Sequence, residues 1–303
     1  MNPAASWNLV QDLREMLSYP FMVNAVRAGT IVAVVAGAAG WVMVLRRESF
    51  AGHTLAVVGF PGAAAATWLG IASGYGYFGA CVGAAIVIAA LPRSVRTRGG
   101  GEQSAVIGIV QAFALATGML FVSLYKGFLS GLTNLLFGTI AGVIDEQVVL
   151  LLVAAVPCLL LLAVLGRPLL WASIDPEAAA AQGIPSHFVA AAFMVLLGVA
   201  AAGTSQVTGS LLVFALLVAP AAAAHQLTGH PGRGIAASVA IALVVTWVGM
   251  GFAFFSPYPI GFWVSSFAFG VYLVCLTWRK WRDRVPRRRL ASQAADLPRE
   301  VAA

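Results

Sequence analysis

Four histidines and three cysteines are the imidazole and thiol donors in this chain of 303 residues. His53 sits at the edge of an apolar run, six residues after Arg47. An ionisable group there reads either as a pathway group or as a wet interfacial histidine. His225 nears the end of another apolar run, while His187 and His230 lie in or beside loops; all three read as structural. Cys81, Cys158 and Cys275 stand singly inside apolar runs. Without a CxxC or Cys/His spacing they read as small buried hydrophobes, not as zinc ligands or a disulfide framework. Asp145 and Glu146 precede an apolar run and could receive a cation or simply solvate a loop. The two lysines, Lys126 and Lys280, follow Tyr125 and Arg279, so no Gly-Lys-Ser/Thr phosphate cradle exists. Neither HExxH nor GxSxG occurs, and no Ser/His/Asp set stands out. The chain is expected to be no enzyme and to bind no cofactor of its own.

One polar stretch has the grammar of a short helix: Asp175-Pro176-Glu177-Ala178-Ala179-Ala180-Ala181-Gln182-Gly183-Ile184-Pro185. Asp175 suits the N-cap, Pro176 the first helical position and Gly183 a C-terminal stop. The result is a two-turn polar helix over 175–184, without a hydrophobic face, in the loop 167–185. It reads as a docking surface for a cytoplasmic partner or as a capped connector. Inside apolar segments, Pro61, Gly62 and Pro220 free backbone carbonyls and permit helix breaks, tolerated where they line a cavity. They point to a pathway or to plain kinks.

The elements that position these residues are membrane spans. The sequence is 60% hydrophobic and 10% charged, with mean hydropathy +0.91. Soluble domains carry about 25% charge, so a soluble protein is excluded. A span needs about 20 apolar residues, and nine segments qualify: 22–45, 55–72, 75–92, 104–125, 147–166, 186–203, 209–228, 234–255 and 260–278. The piece 132–144 is too short to cross and reads as re-entrant or interfacial. Residues 6–19 form an amphipathic surface helix within an N-terminal interfacial segment, 1–21. That segment has no cleavage site after a short apolar core, so no signal peptide is expected. The transmembrane body is 22–278. The basic tail 279–303 is expected to be disordered.

Net charge is +7, but the basic residues flank apolar segments, and seven of them lie between Arg279 and Arg289. That pattern fits cytoplasmic anchoring on anionic lipid and argues against nucleic acid. With the N-terminus outside and nine crossings, fifteen Lys and Arg fall inside; only Arg14, Arg27 and Lys126 fall outside. The chain thus reads as an all-α, polytopic bundle of eight to nine spans in the cell (cytoplasmic) membrane, with its C-terminus in the cytoplasm.

EAAAAQG, Glu177 to Gly183, resembles the EAA…G pattern of bacterial ABC importer permeases, where that helix contacts the ATPase. LRRESFAGHTLAVVGFPGAAAA (45–66), NLLFGTIAGV (134–143), DPEAAAAQGI (175–184) and QVTGSLLVFALLVAPAAAA (206–224) are similar, in order, to segments of the ABC-3 permeases for zinc, manganese and iron. The resemblance covers nearly the whole membrane domain. It implies a fold like the type II importers, a homodimer, a separate cytoplasmic ATPase through which ATP acts, and an extracytoplasmic binding protein. It also implies ATPase-coupling roles for Asp175, Glu177, Ala178, Ala179 and Gly183.

The chain departs from the family where metal passes. An Asp and a His four residues apart share one helical face there; this sequence has His53 and Val57, with Ala56 at the intervening serine. An acidic residue before Pro-x-Gly is missing too, the chain reading Ser256-Pro257-Tyr258-Pro259-Ile260-Gly261. His53 is the surviving candidate metal ligand. The expected cargo is a divalent metal ion; the alternatives are another small or chelated solute, or an ATP-independent secondary carrier. A carrier would need buried charges for ion coupling, and an intramembrane enzyme a catalytic set at depth. Neither is found.

Overall fold

The computed structural model describes residues 9–90, 100–124, 143–209 and 213–295, and every regular element among them is an α-helix. In chain order these are α1 (Leu9–Ser18), α2 (Pro20–Leu45), α3 (Ser49–Trp68), α4 (Ser73–Ala89), α5 (Gly100–Leu124), α6 (Asp145–Ile174), α7 (Pro176–Ala181), α8 (Ser186–Thr208), α9 (Val213–Leu227), α10 (Pro231–Phe254) and α11 (Ile260–Ala295). Each of the nine expected spans corresponds to one helix. Six of them, α2, α5, α6, α8, α10 and α11, are long and apolar enough to cross a membrane. At 17 and 15 residues, α4 and α9 fall short of the usual span. The expected re-entrant piece 132–144 lies almost wholly outside the described residues.

Three boundaries differ from the sequence reading. α3 starts at Ser49 rather than 55, because the turn that ends α2 restarts a helix at once. Glu48 N donates to Met43 O and Arg47 N to Val44 O, with Arg47 left-handed at φ 58. This is the Schellman pattern, here without glycine. α6 runs 30 residues, through Pro157 and Pro168, so the loop expected over 167–185 shrinks to α7 and its flanks. Residues 167–174 are mostly apolar and keep the helical backbone, and a proline removes only one amide donor. α11 continues to Ala295, so the basic tail begins as a helix.

α2 and α8 are the mostly buried centre of the bundle. α2 packs on α10, α9, α6 and α8; α3 lies against α4 and α5; α11 flanks α9 and α10. Close crossings depend on small residues: a Cβ on Gly40 would stand 2.0 Å from the Leu217 carbonyl oxygen. Lipid adds no hydrophobic drive between helices, so such contact is what holds them together. The outer faces of α5 and α6 expose Ile109, Phe113, Leu152, Val153, Leu160 and Val164, as apolar surroundings permit.

Candidate translocation site and coupling helix

The early start of α3 moves His53 from a loop edge into the second turn of a helix. Gly52 beside it packs against Met43 of α2 and Leu197 of α8. Leu197 lies eleven residues into α8, and Gln111, which faces His53, eleven residues into α5. At 1.5 Å per residue Leu197 sits about 16 Å from the start of α8, and Gln111 about 9 Å into the apolar part of α5 that begins at Ala105. His53 itself is half-buried, four residues into α3.

Around the ring the structure assembles a small polar cluster. Thr54 Oγ1, fully buried, donates to Gln111 Oε1 at 3.1 Å. Gln111 Nε2 then stands 3.5 Å from His53 Nε2. That arrangement leaves the ring proton on Nδ1, a buried nitrogen without a hydrogen-bond partner among the described residues. Phe214 of α9 meets the ring edge-on at 5.1 Å between centroids. Val57, one turn on from His53, is buried at 4% exposure and offers no donor atom. No group of three or more His, Cys, Asp or Glu that could hold a metal occurs among the described residues.

Gln111 and Thr54 were not singled out from the sequence. Gln111 is the only polar side chain between Ala105 and Ala116, and a lone amide in an apolar span is a signal that could have been read. Thr54 carries no such signal, because threonine is common in membrane helices and its burial depends on α5.

Pro61, Gly62 and Pro220 do not break their helices. α3 continues through Pro61 and α9 through Pro220, and both prolines are buried. A Cβ on Gly62 would lie 2.3 Å from both Ala80 Cβ and the Gly76 carbonyl oxygen of α4. Pro61 packs on Gly118 of α5. Pro61 and Gly62 sit at helix crossings rather than at chain breaks.

Between α6 and α8, α7 has the caps its sequence foretells. Asp175 Oδ1 accepts from Ala178 N at 2.9 Å, and Pro176 opens the helix. At the far end Gly183, φ 78, donates to Ala180 O while Ile184 N donates to Ala179 O. Only a residue free of Cβ strain adopts that φ readily. Asp175, Glu177 and Gly183 are exposed and Ala178 is half-buried. Ala179 is fully buried, so α7, six residues long, does rest one side on the bundle. It touches α6 and α8, the two helices it joins.

The profile of the ABC 3 transport family matches residues 18–279, from the end of α1 to the last turns of the membrane bundle. The chain belongs to the ABC 3 transport family. It is thus a multi-pass membrane permease subunit of the ABC type. The manganese transport system membrane protein MntC of Halalkalibacterium halodurans is 29% identical over 223 residues, 74% of this permease and 75% of its own length. The chelated iron transport system membrane protein YfeC of Yersinia pestis is 27% identical over 247 residues, 82% of each chain. Among solved structures, PsaBC from Streptococcus pneumoniae in complex with Fab superposes with a TM-score of 0.79. It shares 24% identity and covers 88% of this permease and 95% of that chain. At that identity the likeness speaks for the fold.

Proposed function

We propose that this permease is the membrane half of an importer for a divalent metal ion, worked by a separate cytoplasmic ATPase that grips α7. The observation that carries the reading is α7 itself: a capped, exposed helix joining two spans of a chain that matches the family from 18 to 279. A permease without a phosphate cradle needs its energy from a partner, and α7 offers the partner Asp175, Glu177, Ala178 and Gly183. An extracytoplasmic binding protein delivers the cargo, and two copies of the chain enclose the pathway. The basic tail faces the cytoplasm and its lipid headgroups.

The names of the manganese and iron relatives support metal as cargo. So does His53, a half-buried imidazole with an amide and a hydroxyl beside it. Turning the Gln111 amide over would present its oxygen to a cation held on the ring. One imidazole with neutral oxygens is a weaker donor set than an Asp/His pair. It suits a site that passes an ion on, with retention left to the binding protein.

Co-purification tests the reading. The native permease carries the ATPase through detergent extraction, whereas Glu177→Arg, reversing an exposed charge on α7, is expected to lose at least about nine-tenths of it. Undiminished complex with Glu177→Arg, and also with Ala178→Arg, rejects α7 as the grip.

A further inference from the structure

The three-residue turn between α2 and α3 holds an ion pair that cargo binding does not use. Arg46 Nε and Nη2 donate to the two carboxylate oxygens of Glu48 at 3.1 and 2.9 Å. The third nitrogen, Nη1, reaches Ser173 Oγ at 3.3 Å, and the guanidinium carbon lies 5.4 Å from the centre of the Phe193 ring. Both charged side chains are largely buried, at 11% and 14% exposure. Ser173 donates to the Leu169 carbonyl, which fixes it to α6 two residues before the N-cap of α7. Phe193 is fully buried on α8, the helix that leaves α7. A single guanidinium therefore touches α6 two residues before the N-cap of α7, and α8 seven residues after its start. Its carboxylate partner begins α3: the Glu48 carbonyl accepts from Gly52 N at 3.1 Å, one residue before His53.

A bidentate Arg–carboxylate pair has fixed geometry, and separating buried charges is far harder than sliding exposed ones. We infer that Arg46 is a positioning residue that couples α7 to α3, carrying a displacement of α6 and α8, the two helices α7 joins, into the α2–α3 turn and on to His53 and Thr54. This rests on α7 being the grip of the ATPase. Coupling between sites requires an element that both of them bias, and the turn with left-handed Arg47 is that element.

Spin-label distances in the complex with the ATPase test it without reference to cargo. Phe50 on α3, Ala180 on α7 and Phe262 on α11 are exposed, and the three native cysteines are buried, so introduced cysteines at 50 or 180, each paired with 262, take the label. On trapping with ATP and vanadate, both distances are expected to shift in the native background. In Arg46→Ala the resting distances and the 180–262 shift persist, while the 50–262 shift falls to about a third or less. Arg46→Lys, which keeps charge but not the fork, and Ser173→Ala each lower it by about half. An undiminished 50–262 shift in Arg46→Ala overturns the inference. If that variant does not accumulate, undiminished shifts in Arg46→Lys and Ser173→Ala overturn it equally. A native protein in which 180 moves and 50 does not overturns the coupling alone. One in which 180 stays still overturns the docking role of α7, and the coupling with it.

Discussion

At the scale of single residues the cargo site and the packing make opposite demands. His53 needs company that can share a ligand; Gly40 needs none at all. His53→Ala, which removes the imidazole and leaves Thr54 and Gln111, is expected to lower Mn²⁺ uptake by reconstituted complex by about ten-fold or more. Gln111→Leu lowers it by less. Restoring the family pair with His53→Asp and Val57→His is expected to raise Mn²⁺-stimulated ATP hydrolysis above native, because a carboxylate and an imidazole one turn apart face the same side. Unchanged uptake in His53→Ala sinks the metal path. At Gly40 the Leu217 carbonyl oxygen stands 2.0 Å from where a Cβ would be. Gly40→Ala therefore forces α2 and α9 apart, destabilising by about 2–3 kcal/mol. Gly79→Ala on α4, where a Cβ meets nothing within 4 Å, is neutral or stabilises by up to about 1 kcal/mol. Thermal unfolding midpoints in detergent compare the two. His53 was legible in the sequence as an ionisable residue against an apolar run. Its partners were not, because contacts to α5 and α9 are set by how helices cross.

At the scale of elements, α7 was the most legible piece of the molecule and α3 the least. Asp175, Pro176 and Gly183 act through local backbone geometry, which a sequence spells out directly, and each takes the position expected of it. α3 was displaced by six residues because Arg47, not glycine, adopts the left-handed turn that closes α2. Nothing in the residue type announces that, and SFAGHT is too polar to read as span. The missing hydrophobic face of α7 was a misjudgement of scale: one alanine, Ala179, is enough to seat six residues. Two substitutions test the caps while leaving Glu177 in place. Asp175→Ala removes the N-cap bond, worth about 1 kcal/mol, and Gly183→Ala places a Cβ at φ 78, a strain of about 1–2 kcal/mol. Neither touches the exposed Glu177. Each is expected to weaken ATPase association about five- to ten-fold by fraying α7, measured by titrating the ATPase onto permease in nanodiscs, and Asp175→Ser or Gly183→Asn to recover most of it.

At the scale of the whole molecule, contacts between distant segments gather Arg46, Arg47 and Arg279 at one end of the bundle, independently of counting loops. α6 is 30 residues long, about 45 Å, so Asp145 and Ile174 fall on opposite sides of a ~30 Å apolar layer. At the Ile174 end Arg46 bonds to Ser173, His225 Nε2 donates to the Trp41 carbonyl while stacking on its ring at 4.8 Å, and Arg279 donates to Gln226. The α2–α3 turn, the end of α9, the start of the basic tail and α7 therefore share a face. At the Asp145 end Asn24, near the start of α2, reaches the Val143 carbonyl at 3.5 Å. Positive charge marks the cytoplasmic side, so the face with Arg46, Arg47 and Arg279 is expected inward, and Asp145 and Glu146 outward. Cysteine accessibility in intact cells checks this. With the native cysteines buried, Asp145→Cys is expected to react with a membrane-impermeant maleimide, and Ala180→Cys only after permeabilisation. The opposite pattern would put α7 where there is no ATP, and no ATPase could then reach it.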